Sequence, residues 1–182
     1  MYLPLPPLPA QPIPLCVALL VIVAASTDIT ARRIPNEVVA TGLAVAFLVQ
    51  CSIHGAAAGA LLWLTGAATG FALLLPFYLL RGMAAGDVKL MMTVGAWVGP
   101  ALAFHIALAA FMAGGIGSVA LVVYRGRARQ LVGNLRAIAR NTSQAAQDGA
   151  TGPRQLPGSV GTMPYGVAIA AGTLGMLFAT AA

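Results

Sequence analysis

Apolar residues run in long blocks along this chain, and polar residues collect in the gaps between them. The first block, "LCVALLVIVAAST", follows Pro14, a tolerated position at a helix start, and predicts a helix to Asp28 or slightly beyond. Pro35, in "ARRIPN", ends it. A second block covers residues 38–53 and closes at a His54-Gly55 turn; a third covers 56–80, with Pro76 near its end and Arg81 after it. A short apolar segment, 88–98, meets a Gly99-Pro100 break, and a longer one follows at 101–124. The polar, basic stretch 125–158 precedes a last apolar block at 160–179. A bilayer core of about 30 Å needs about 20 helical residues, so the first helix should continue past Asp28, leaving that residue near the membrane surface.

Composition makes the bilayer reading firm. Hydrophobic residues are 59% of the 182, charged residues 8%, and mean hydropathy is +0.89, too apolar for the surface of a soluble domain. The expected fold is all-α: a polytopic membrane bundle of about six helices, with 88–98 as one short crossing. A single membrane-embedded domain over 1–182 is expected, with a proline-rich extension at 1–12 and a basic cytoplasmic loop at 125–158. The extension is too rich in proline for helix and lacks the basic n-region of a secretory signal, so no cleaved leader is expected.

The net charge of +6 comes from ten basic residues scattered over loops, which argues for membrane orientation and against nucleic acid as a partner. Arg32 and Arg33, then Arg81 and Lys89, then the six arginines from Arg125 to Arg154 mark three loops as cytoplasmic. Parity then requires 88–98 to count as a crossing, which gives six spans with both termini outside and puts Asp28 and Asp87 on the cytoplasmic side. Four GxxxG matches, from Gly55, Gly66, Gly82 and Gly95, support close helix packing without selecting an interface. Cys16 and Cys51 lack metal or disulfide spacing and read as small apolar residues; no metal and no cofactor are expected.

Only four acids occur, and Asp87 sits in "GMAAGDVKL" between apolar blocks. An aspartate at mid-bilayer costs about 2.5 to 3.5 kcal/mol, and less near the surface, so membrane acids are functional candidates. If the bundle brings Asp28 and Asp87 together, repulsion keeps one protonated while the other ionises, the arrangement that activates water and protonates a leaving amine. The chain offers no HExxH, no GxSxG and no Cys/His pair for competing hydrolytic chemistry. On chemistry alone the alternative is equally open: Asp28 paired with Arg32, and Asp87 with Lys89 or Arg81, as helix-end anchors.

The segments "DITARRIPN" (Asp28 to Asn36), "AAGDVKL" (Ala84 to Leu90) and "PYG" (Pro164 to Gly166) together resemble the type IV prepilin peptidases, in particular the short form associated with Tad (Flp) pilus assembly. The resemblance covers nearly the whole chain. It implies an intramembrane aspartic endopeptidase of the GxGD type, in the bacterial inner membrane, that cuts a basic leader from a prepilin or pseudopilin at the cytoplasmic face, ahead of a hydrophobic helix. On the matching positions Asp28 and Asp87 become the catalytic pair, Gly86 allows close backbone approach beside Asp87, and Lys89 is either a counter-charge to Asp87 or an interfacial anchor. Ala84 stands where the motif has its first glycine, which reduces loop flexibility if that position needs positive φ. The cysteine-rich insertion of the longer, methylating members is absent, so methyltransferase activity is not expected. Among the remaining polar residues, His54 marks an outer turn, His105 is expected to be a packed, hydrogen-bonded histidine, Trp63 and Trp97 suit interfacial belts or helix packing, Glu37 suits a helix dipole, and Asp148 is solvated. The competing functions are a proton- or cation-coupled transporter, for which acids near mid-membrane would be expected, and a noncatalytic subunit of a membrane assembly.

Overall fold

A computed structural model describes residues 6–80, 82–124 and 165–181, and within them five helices form an all-α fold. They are α1 (Ile13–Ala31), α2 (Asn36–His54), α3 (Ala56–Leu79), α4 (Ala85–Tyr124) and α5 (Tyr165–Ala181). Four of them contain a stretch long and apolar enough to cross a membrane, Ile13–Ala31, Asn36–His54, Ala56–Leu79 and Ala85–Ala120, and α5 is a shorter apolar helix. The chain is thus a polytopic helical membrane protein. The basic stretch 125–158, Arg81 and Pro164 lie outside the described residues.

The chain divides into two compact units, Met1–Gly114 with Pro164–Ala182, and Gly115–Met163. The first holds the core and both candidate acids. In the second, the described residues continue α4 and expose Ile116 and Val119.

Helix ends fall where the sequence places breakers. Pro14 occupies the first turn of α1, and Arg32 ends that helix in the left-handed region, at φ 50°, with its N–H bonded to Asp28 O at 3.0 Å. Pro35, extended, caps α2. Gly55, at φ 83°, joins α2 to α3, which pack side by side. There Trp63 Nε1 donates to Leu43 O at 3.0 Å and its ring meets Phe47 edge-on, so this tryptophan serves packing. Along α1 the buried residues are Ile13, Val17, Val21, Ala24 and Asp28, a single stripe at helical spacing, while Leu15, Leu19 and Ile22 face outward.

The sequence predicts a short helix over 88–98 and a separate one over 101–124. In the structure α4 begins earlier, at Ala85, and is interrupted at Gly99, whose φ of 78° and ψ of 172° are not helical. Its first arm, residues 85–98, is buried on several faces: Val88, Leu90, Met91, Thr93, Val94, Ala96 and Trp97 are all core residues. That arm meets α3 backbone to backbone. A Cβ on Gly66 would collide with the Gly95 carbonyl, one on Gly95 with the Gly66 carbonyl, and one on Gly70 with the Met91 carbonyl. Of the four GxxxG matches, "GAATG" and "GAWVG" therefore form a real interface, of the close kind that packing in lipid demands.

The break has its own partner. Pro100 has no N–H to offer the Ala96 carbonyl one turn back, and an unpaired carbonyl in lipid is costly. Gln50, buried on α2, supplies the missing donor: its Nε2 lies 2.7 Å from Trp97 O and 3.4 Å from Ala96 O. Gln50→Leu should therefore destabilise the protein by about 1–3 kcal/mol, the cost of buried groups left unpaired, visible as a lower melting temperature in detergent. An unchanged melting temperature would show that the break needs no side-chain cap. His105 Nδ1 lies 2.8 Å from Ala101 O, a local contact on its own helix, as expected of a packed histidine.

Candidate active site

Asp28 is in the last turn of α1 and Asp87 in the first turn of α4. Both are buried, 7% and 5% exposed, which separates them from solvated helix-end anchors. They line one cavity of about 180 Å³ together with Arg32, Arg33, Asn36, Gly86 and Lys89. The fold thus brings together two acids 59 positions apart (87 − 28).

Each carboxylate is held by the N-terminus of a helix. Ala84 precedes α4, and its N–H donates to Asp87 Oδ2 at 3.2 Å, while the Asp87 N–H donates to Ala84 O at 3.1 Å. This is one half of a capping box, in which an acid at the third helical position reaches back to the residue before the helix. Asp28 Oδ2 accepts from the Gly166 N–H, in the first turn of α5, at 2.9 Å. The first turn of a helix leaves backbone N–H groups without intrahelical partners, and a carboxylate is well suited to take them. One oxygen of each aspartate is thereby engaged, and each has a second oxygen that these bonds do not use.

Three cations share the wall. Lys89 Nζ donates to Asn36 Oδ1 at 3.1 Å, tying the start of α4 to the start of α2 across the cavity. Arg32 and Arg33 lie on the link between α1 and α2, which leads into Asn36. The lysine therefore bonds Asn36, a partner that neither reading of Lys89 included. At Gly86 an added Cβ would meet Ile34 at 3.5 Å, an ordinary contact, so in this structure the close backbone approach to an aspartate belongs to Gly166. Ala84 lies outside the positive-φ region, where Arg32 is the one non-glycine among the described residues, so alanine fits this motif position without backbone strain.

Two participants were not assigned a role from the sequence. Asn36 closes the motif "DITARRIPN", but nothing in it points to Lys89. Gly166 closes "PYG", but its partner is 138 positions away. Among the described residues no group of three or more His, Cys, Asp or Glu side chains is placed to hold a metal ion.

What the arrangement can do is acid and base chemistry on one bound water, with two carboxyl groups and no nucleophilic side chain. Residues 15–119, which include both aspartates, match the type IV leader peptidase family. No curated protein and no solved structure matches at a significant level. The match covers more than half of the chain, which therefore belongs to the type IV leader peptidase family and is an aspartic-type endopeptidase acting on prepilin leaders.

Proposed function

We propose that Asp28 and Asp87 are the catalytic pair of this peptidase, a reading carried by one observation: two buried carboxylates share a single cavity at one end of the helices. One carboxylate takes a proton from the bound water as its oxygen attacks the scissile carbonyl carbon. The other, protonated, gives its proton toward the departing amine, and the C–N bond breaks as the tetrahedral intermediate collapses. Gly86 and Lys89 belong to the same site in this reading. Lys89 shapes it through Asn36, and Gly86 keeps the wall beside Asp87 free of a side chain.

The substrate is a prepilin or pseudopilin of the Flp/Tad kind, cut between its leader and the hydrophobic helix that follows. The two cysteines lie within α1 and α2, unlike the cysteine-rich insertion of methylating relatives, which supports a peptidase without methyltransferase activity. Co-expression with a candidate prepilin from the same genome tests the reading: leader removal should appear as a mobility shift that depends on this chain.

The cleavage site faces the cytoplasm of a bacterium, from the inner membrane. Arg32, Arg33 and Lys89 at the cavity support this under the positive-inside rule. Unbroken, the 40 residues of α4 would make about 60 Å of helix, twice the hydrocarbon core, so the break at Gly99 favours two crossings and six in all. A reporter inserted within residues 125–158 should then read as cytoplasmic, and one fused after Ala182 as external. The opposite signal at either position would mean that α4 crosses only once.

A further inference from the structure

The segment that matches the family ends at residue 119, yet the Asp28 carboxylate is held from beyond it. We infer that Gly166, at the start of α5, is a positioning residue for the reaction: its N–H fixes the Asp28 carboxylate, and its lack of a side chain leaves that carboxylate room. The inference rests on the catalytic pair proposed above.

The geometry is tight. A Cβ at Gly166 would stand 2.7 Å from Asp28 Oδ2 and 3.2 Å from both Asp28 Cγ and Cβ. The atom that must yield is the end of the Asp28 side chain and not backbone, so the fold can survive an alanine there while the carboxylate cannot keep its place. The start of α5 is itself fixed. The Tyr165 ring fills the space left open by Gly114, where a Cβ would meet Tyr165 Cε2 at 2.7 Å, and it lies beside Phe111. Nearly two turns along α5, Gly172 lies against the Ala110 backbone, and α5 as a whole packs on α1. A short polar link thus runs from a rigid helix start to a reacting group.

Purified enzyme in detergent, assayed on a prepilin, separates this role from a structural one. Gly166→Ala should lower kcat per folded molecule by about 100-fold, as expected for a reacting group displaced by about 1 Å, with KM within about twofold of wild type and little change in melting temperature. Gly172→Ala, whose Cβ would meet the Ala110 backbone, should do the reverse: less folded protein, with normal kcat in what remains. Gly175→Ala, with nothing within 4 Å, should keep wild-type kcat and KM and melt no lower than wild type. If Gly166→Ala keeps a wild-type kcat, raises only KM, or loses activity solely in proportion to folded protein, the positioning role is wrong. Failure of the wild-type enzyme to cleave any prepilin would instead count against the peptidase reading itself.

Discussion

Asp28→Asn and Asp87→Asn should each lower leader cleavage by about 1,000-fold or more while leaving the protein folded in the membrane. Asparagine is the informative replacement because each aspartate has a second, structural duty. The Asp87 carboxylate takes the Ala84 N–H and the Asp28 carboxylate takes the Gly166 N–H, and an amide oxygen can accept either bond. If these residues were only caps, the asparagine variants would cleave normally. If they are the acid and base, capping survives and the chemistry stops, since an amide neither takes up nor releases the proton. The double variant should be no slower than either single one, because groups acting as one unit are strongly non-additive. Lys89→Ala should cost far less, since its ammonium bonds Asn36 and reaches the pair through the cavity wall. The check is cleavage per folded molecule; normal cleavage by well-folded Asp87→Asn enzyme would end the proposal.

Much of this site was legible in the residue pattern, for a physical reason. A rare acid within an apolar block stands out because lipid makes it costly, and both aspartates lie in phase with core positions. Asp28 is four residues on from Ala24, and Asp87 precedes Leu90, Met91 and Val94 at helical spacing. Whether each acid faces inward or anchors a helix end stayed open in the pattern, and the burial of both in the fold decides it. The helix boundaries were legible because Pro35, Gly55, Gly99 and Pro100 constrain the backbone locally. What the sequence left open was pairing between distant segments. Gly66, Gly70 and Gly95 stood in a set of GxxxG matches with no way to rank them, and Gln50 gave no hint that it serves a proline-broken helix on another segment. Asn36 with Lys89 and Gly166 with Asp28 are likewise contacts made by the tertiary fold, and residue type alone does not select them.

Gly66→Ala and Gly95→Ala should each destabilise the protein by about 3 kcal/mol, the upper part of the range for overpacked cores. Glycine within a helix ordinarily costs about 0.5–1 kcal/mol relative to alanine, so removing one in open surroundings should stabilise. Gly175 is such a place, and Gly175→Ala should raise the melting temperature slightly. At Gly66 and Gly95 the sign reverses because the new methyl group would meet a backbone carbonyl, which cannot swing aside as a side-chain end can. The two helices must then separate, and the 85–98 arm carries Asp87 in its first turn, so the loss should extend from packing to catalysis. Melting curves in detergent and cleavage per folded molecule should both fall for these two variants, with neither falling for Gly175→Ala. If Gly95→Ala were as stable as Gly175→Ala, α3 and the 85–98 arm could not be in backbone contact.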